Sequence, residues 1–181
     1  MTNSGFRNQL GRTVEIPIEL YESMRGRYFL GLAEGLTLSA GTSAWARLCN
    51  PRLSGVNLYL DTWSVSTVSE SPFRVQCWLD ANPSGNSSNS DFITPANLSI
   101  RPVPISRAFI QQASNVYHEP DEGVEVFSRS GVAGETLVDE ENGKIIIPPC
   151  SSFLIYVSIT DPSALEGEAS ISFEWWEDNL S

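Results

Sequence analysis

The segment from Gly41 to Leu79 constrains the fold most, because apolar and polar residues alternate through nearly all of it. It contains the runs TSAWARLC, VNLYLDTWSV and FRVQCWL, which turn-rich stretches separate. Such alternation is typical of strands that bury one face. The pattern returns near the end of the chain in SSFLIYVSI and SISFEWW. We therefore expect strands along the whole chain.

The fold class follows from the number of these strands and the length of the chain. The chain has 181 residues, a length that suits one domain with a substantial core. Roughly eight to ten strands and no helix are predicted, which favours an all-β, jelly-roll-like or Greek-key β-sandwich. We place the sandwich over residues 13–181, after a flexible N-terminal arm of residues 1–12.

One strand of the central segment changes phase part of the way along. Val56, Leu58 and Leu60 share one face, whereas Trp63 and Val65 fall out of that alternation. A shift of one residue moves all later side chains to the other face of a strand. The slip predicts a bulge, or a bend where the strand crosses from one sheet to the other.

The residues that follow the arm, TVEIPIEL, also read as a strand. Val14, Ile16 and Ile18 lie on one face of it, and Pro17 interrupts the hydrogen-bonding pattern. Because proline cannot donate to a ladder, this strand is expected at a sheet edge or on the edge of a neighbouring subunit. It is our candidate assembly strand.

Two further segments carry local predictions. Residues 80–104 are rich in Pro, Ser and Asn and are expected to form a long loop with little regular structure. Asn142-Gly143 lies between the short runs ETLVD and KIIIP, which predicts a β-hairpin. The run RAFIQQASNVY is weighed as a strand or one short helix, and we favour the strand.

Charge excludes some classes of partner. The formal net charge is −11, and the acidic excess lies after residue 60. Such a chain is a poor candidate for binding nucleic acid or an anionic membrane, so neither is expected as a partner. The imbalance is explained either by solubility or by docking of the arginine-bearing N-terminal third on an acidic neighbouring subunit.

The sequence offers few groups for catalysis. His118 is the only histidine, and it lies in a polar turn without a recognisable nucleophile partner. We expect no enzyme activity, no cofactor and no metal site. Cys77 reads as a buried free thiol, while one disulfide between two strands, or an intermolecular bridge that uses a leftover cysteine, stays open for Cys49, Cys77 and Cys150.

Tryptophan supplies the remaining candidates for binding. Trp63, Trp78 and Trp176 are not placed clearly inside by the alternation. Exposed tryptophan is characteristic of subunit interfaces and of sugar-binding platforms, and packing under loops is the structural alternative. The polar start of the chain has no signal-peptide pattern, so synthesis in the cytoplasm is expected.

Five runs of the sequence carry a resemblance to known proteins: WARLCNPRLSGVNLYLDTWSV, SPFRVQCWL, ITPANLSIRP, VDEENGKIIIPPCSSFLIYV and ISFEWWE. Over roughly residues 13–178 the chain resembles a family of small uncharacterised proteins from spore-forming Firmicutes. The pattern is also similar to jelly-roll virion proteins of phages, in which Pro-Gly precedes a late strand. Here Pro149-Cys150 stands at that position. The resemblance implies a spore-associated or phage-derived structural protein and supplies no catalytic residues.

Two functions of different classes therefore remain. The first is a structural protein that assembles into a homo-oligomer, fibre or surface layer, with N-terminal strand addition to a neighbour. Its final site would be the spore surface or a virion. The second is a carbohydrate- or surface-binding module, with Trp78 and the loop of residues 80–104 as the site and a glycan or the spore surface as the partner.

Overall fold

The computed structural model describes residues 15–180 and contains one short helix and eleven strands. The helix α1 spans Ile18–Met24. The strands are β1 (Tyr28–Leu38), β2 (Ser43–Cys49), β3 (Val56–Val68), β4 (Phe73–Leu79), β5 (Ser88–Asn89), β6 (Phe92–Pro95), β7 (Phe109–Val116), β8 (Val124–Gly131), β9 (Thr136–Ile147), β10 (Ser152–Ile159) and β11 (Gly167–Asn179). The all-β prediction is confirmed.

The strands form two antiparallel sheets that pack face to face. The five-stranded sheet has the order β6-β1-β11-β3-β9, and the six-stranded sheet has the order β5-β7-β2-β10-β4-β8. Without β5, β6 and β7, the orders become β1-β11-β3-β9 and β2-β10-β4-β8. This is the jelly-roll arrangement of two four-stranded sheets, so the predicted architecture is confirmed. The three additional strands extend one side of the sandwich.

The core lies between the sheets, where alternate residues of every long strand meet. Trp63 and Trp175 of the five-stranded sheet are fully buried there, as are Phe153 and Val75 of the six-stranded sheet. The rings of Phe153 and Phe173 meet edge to face across the two sheets, with 6.4 Å between their centroids. The alternation seen in the sequence thus places its apolar face inside, as predicted.

The phase slip in β3 is a bulge, as predicted, but the strand does not change sheets. Its pairing with β9 and with β11 shifts register at Asp61, between Leu60 and Thr62. On both sides of the bulge β3 keeps the same two neighbours. The predicted crossing between sheets is therefore wrong, because the extra residue alone restores the inward phase of Trp63.

The hairpin predicted at Asn142-Gly143 is also wrong. The runs ETLVD and KIIIP belong to one strand, β9, and both pair with β3. Asn142 and Gly143 do adopt the left-handed conformation that the dipeptide favours, with φ of 51° and 70°. Residues 141–144 lie opposite the single residue Asp61, so the Asn-Gly pair forms part of a four-residue bulge within a strand.

The strand predicted for TVEIPIEL is wrong within the described residues. Ile16 and Pro17 precede α1, and Ile18 is its first residue. Val14 and the arm of residues 1–12 lie outside the residues that the structure describes. Residues 80–104 are mostly irregular, as predicted, but include the short strands β5 and β6. The favoured strand in RAFIQQASNVY is confirmed as β7.

Candidate interaction surface

Helix α1 presents apolar side chains to solvent and buries an acidic one. Among its seven residues only Glu22 is buried, and it is 4% exposed. Apolar side chains that are 42–62% exposed form what we call the α1 surface: Ile16, Ile18, Leu20, Tyr21 and Met24. A helix that packs on its own domain usually buries its apolar stripe. The α1 surface is therefore a group of apolar residues that the described part of the chain leaves about half exposed.

An ion-pair network holds α1 on the sandwich. Arg27 donates to Glu22 through Nε at 2.7 Å and through Nη2 at 2.9 Å, which makes a two-pronged contact. Its Nη1 donates to Asp178 of β11 at 2.7 Å. Because Glu22 is buried and doubly paired, its carboxylate fixes the orientation of the helix. That orientation turns the apolar side chains outward.

The ends of α1 have local causes in the sequence. Pro17 stands at the position just before the helix, where its missing N–H is no loss. Gly26 ends the helix with φ of 71°, which glycine adopts without strain. A Cβ at Gly26 would lie 2.8 Å from the ring of Pro104, and Asn97 donates to the carbonyl of Ser23 at 3.1 Å. The helix thus packs closely on residues 97–104.

A shallow apolar groove lies on the outer face of the five-stranded sheet, between β6 and β11. We call it the β6 groove, and its volume is about 510 Å³. Its lining includes Leu30, Leu32, Asp91, Phe92, Ser172 and Glu174. The floor is formed by leucines of β1, and carboxylates lie at the rim. Phe92 is 56% exposed although it belongs to a strand.

Acidic side chains meet beside this groove around one tyrosine. The hydroxyl of Tyr28 lies 2.6 Å from Asp61 Oδ2 and 2.8 Å from Glu174 Oε2. Burial raises the pKa of Asp61, and the hydrogen bond from Tyr28 opposes this shift. The negative charges of Glu19, Glu174 and Glu140 raise the pKa further. Burial is also the first cause that raises the pKa of Tyr28. The electrostatic potential here is therefore negative.

The three tryptophans singled out by the sequence lie in three different environments. Trp63 is fully buried in the core, in contrast to the predicted surface position, and its Nε1 lies 3.4 Å from Glu141 Oε1. Trp176 is 7% exposed and stacks on Tyr59 with 5.3 Å between ring centroids. Trp78 is half-buried on the outer face of the six-stranded sheet. The fold does not bring them together.

The long loop of residues 80–104 covers part of that outer face. Trp45 donates its Nε1 proton to the carbonyl of Ser84 at 2.8 Å. Trp45, Leu154 and Tyr156 form a buried cluster under the loop, and Trp78 packs against its side. The first part of the loop therefore covers a second, smaller core.

All three cysteines are free thiols. Cys77 is buried in the main core, as predicted, and burial raises its pKa. Burial also raises the pKa of Cys49 to about 11, against the opposing effect of Arg47. Cys150 is exposed at the turn before β10 and adopts a φ of 72°. The two buried thiols are therefore held in the protonated form, which is unreactive.

Residues 15–180 include the histidine and the acidic and thiol groups that the sequence analysis weighed as catalytic or metal-binding candidates. The side chain of His118 is exposed. No group of three or more His, Cys, Asp or Glu side chains is arranged to hold a metal within the described residues. In the same residues no helix has the length and apolarity to cross a bilayer.

Sequence reasoning missed the residues that build the candidate surface. The run IELYESM carries apolar residues at helical spacing, Ile18 with Tyr21 and Leu20 with Met24, between a proline and a glycine. These are signals of a helix start and stop. The Tyr28, Asp61 and Glu174 contacts join three separate strands, and no local pattern in the sequence indicates them.

Comparison with known proteins gives a family but not a function. The model of one protein family matches residues 6–181, nearly the whole chain, and that family is described only as being of unknown function. No curated protein sequence matches the chain.

Proposed function

This chain belongs to DUF6143, a family of unknown function, and from its own surface we propose that it is a non-catalytic structural protein that assembles into a homo-oligomer through α1. The observation that carries the proposal is the inverted packing of α1, which buries Glu22 and exposes Leu20, Tyr21 and Met24. Exposed apolar groups of this kind mark interaction sites.

A second copy of the chain is a suitable partner for this surface. Two α1 helices related by a twofold axis would cover each other's apolar side chains, since such an interface uses the same patch on both subunits. Each square ångström of apolar surface removed from water contributes about 25 cal/mol. The jelly-roll fold, which also occurs in viral capsid domains, supports the proposal by analogy only.

Open-ended assembly into a fibre or layer needs a second contact of a different type. A twofold contact alone gives closed dimers, whereas a heterologous contact between different patches extends a chain of subunits. We assign the second contact to the N-terminal segment, in agreement with the strand-addition hypothesis but limited to residues before α1. The spore-surface or virion location stays a prediction.

Size measurement of the purified protein tests the proposal. Light scattering coupled to size exclusion should give a mass above the 19.9 kDa of one chain, and the mass should rise with concentration. Leu20→Glu with Met24→Glu should lower it. The matched controls are Leu53→Glu and Leu165→Glu, which change leucines that are 92% and 85% exposed elsewhere. A wild type that stays monomeric at every concentration contradicts the proposal.

The binding-module alternative depends on Trp78. Its ring is half-buried, and its Nε1, which is itself buried, has no hydrogen-bond partner among the described residues. A glycan array with the wild type and Trp78→Ala tests this function. If the wild type gives no signal, or if both proteins give the same signal, glycan binding at Trp78 is excluded.

A further inference from the structure

The β6 groove has the shape and polarity of a site for an extended peptide. Leu30, Leu32 and Phe92 give it an apolar floor and wall, and the volume of about 510 Å³ lies within the usual range of ligand sites. It opens on the outer face of β1 and is bounded by β6, a strand of only four residues at the sheet edge. An occupant would therefore need apolar side chains.

The charges around the groove specify the occupant further. Asp91 and Glu174 lie on its rim. Glu174 also shares Tyr28 with Asp61, and Glu19 is close enough to act on Asp61. No lysine or arginine belongs to the groove lining. An occupant with cationic side chains beside its apolar ones would thus be favoured.

One segment of this chain has that composition. Residues 6–14 read FRNQLGRTV, with apolar Phe6, Leu10 and Val14 interleaved with Arg7 and Arg12 and with no acidic residue. The family match begins at residue 6, so it includes this segment. Nine extended residues span about 30 Å, which is enough to lie along a groove on a neighbouring subunit.

We propose that the β6 groove binds residues 6–14 of a neighbouring copy of this protein. Phe6 and Leu10 contact the leucine floor, and the two arginines pair with the rim carboxylates. This inference rests on the proposed self-assembly and names its second contact. In that contact the β6 groove of one subunit binds the N-terminal segment of another. The contact is heterologous, so it extends an assembly rather than closing it.

Complementation between two full-length variants tests the inference. The first variant, Arg7→Glu with Arg12→Glu, has a defective segment and an intact groove. The second, Phe92→Glu, has a defective groove and an intact segment. Both also carry Leu20→Glu and Met24→Glu, so that association through α1 does not contribute. Each is labelled with one dye of a fluorescence-transfer pair, and circular dichroism confirms that both are folded.

The expected result is association of the mixture and about tenfold weaker association of either variant alone. A synthetic peptide of residues 1–14 should compete for the mixed complex. Leu98→Glu, which changes a leucine that is 64% exposed outside the groove lining, is the control that should leave association unchanged.

Two results would overturn the inference. A mixture that does not associate shows that the groove takes no segment from another copy, including the case in which each chain fills its own groove. If each variant alone associates as strongly as the protein that carries only Leu20→Glu and Met24→Glu, the contact lies elsewhere. Neither result bears on the proposed contact through α1, because the size measurements on the Leu20 and Met24 variants test that contact separately.

Discussion

Tyr28 has one hydroxyl proton for two carboxyl groups. Its oxygen lies within hydrogen-bond distance of both Asp61 and Glu174, at 2.6 and 2.8 Å. A phenol donates one hydrogen bond, so Tyr28 can fully satisfy only one of the two acids at a time. Asp61 is 6% exposed, and burial is the first cause that raises its pKa, against the hydrogen bond from Tyr28. The fold therefore favours the neutral form of Asp61 more than the unfolded chain does.

The raised pKa of Asp61 predicts a pH dependence of stability. When the pKa of an acid is higher in the folded than in the unfolded chain, its contribution is present below the unfolded pKa of about 3.9. It is lost as pH rises through the folded pKa. Asp61→Asn keeps a hydrogen-bond donor and has no carboxyl group to ionise, so the variant should not lose this stability. The free energy of unfolding of the variant relative to wild type should therefore increase as pH rises from about 3.9 through the folded pKa of Asp61. Urea unfolding at a series of pH values measures it.

An acid of opposite behaviour provides the control. Hydrogen bonds from Ser163 lower the pKa of the exposed Asp161. Its contribution is present above the unfolded pKa and is lost as pH falls through the folded one. Asp161→Asn should therefore lose stability relative to wild type as pH rises, opposite to Asp61→Asn. Two variants with the same pH trend would contradict the opposite shifts in the pKa of Asp61 and Asp161.

Cys150 occupies a backbone conformation that suits glycine. Its φ is 72°, and the turn is fixed by a hydrogen bond from its N–H to the carbonyl of Asn50 at 3.0 Å. A side chain in the left-handed region costs about 1–2 kcal/mol, and the greater freedom of unfolded glycine offsets part of that. Cys150→Gly should therefore stabilise the protein by about 1 kcal/mol in urea unfolding under reducing conditions.

Serine at the same position separates conformation from chemistry. Cys150→Ser removes the thiol but retains a Cβ, so its free energy of unfolding should stay within about 0.5 kcal/mol of wild type. Equal stabilisation by both substitutions would show that the thiol, and not the backbone, is unfavourable at this turn.

Among the elements, β9 depends on a glycine for space as well as for conformation. Gly143 has φ of 70°, and a Cβ added there would overlap the indole ring of Trp176. Gly134 has the same φ of 70°, but its Cβ would meet no atom within 4 Å. Gly134→Ala should cost about 1 kcal/mol from the backbone alone, and Gly143→Ala about 3 kcal/mol or more. Denaturant midpoints of both variants measure the difference.

Equal losses at the two glycines would contradict the packing of β9 on Trp176. In that case the bulge would be free to lift from the sheet, and the stack of Trp176 on Tyr59 would not be a fixed part of the structure.

The elements also show where sequence patterns stop being informative. Strands with alternating burial, such as β3 and β11, were predicted correctly because burial of one face decides them. The Asn142-Gly143 pair correctly predicted two residues in the left-handed conformation but not how the chain continues. The residues on both sides of the pair bond to β3, so they belong to one strand and not to a hairpin. The helix α1 was missed although its apolar residues have helical spacing, because the overlapping run TVEIPIEL also alternates as a strand does.

For the whole molecule, the all-β class and the sandwich could be predicted, but the candidate surface could not. Alternation indicates which face of a strand is buried, and two such faces must meet. The β6 groove and the acids around Tyr28 depend on which strands become neighbours, for example β1 between β6 and β11. Such neighbours are far apart in the chain, and a local pattern contains no information about them.

The two sheets share one core, which predicts a single unfolding transition. Phe153 and Phe173 come from opposite sheets and meet edge to face. Phe173→Ala should cost about 3–5 kcal/mol, because it removes a fully buried ring. Phe92→Ala, at a ring that is 56% exposed, should cost less than about 1 kcal/mol.

The protein's own tryptophans lie in both sheets and show whether the two sheets lose stability together. Trp63 and Trp175 report on the five-stranded sheet, and Trp45 and Trp78 report on the six-stranded sheet. Tryptophan fluorescence and far-ultraviolet circular dichroism should therefore follow the same urea transition, and Phe173→Ala should move both by the same amount. Separate transitions would mean that each sheet is stable without the other. The contacts between the sheets would then not be what holds the jelly roll together.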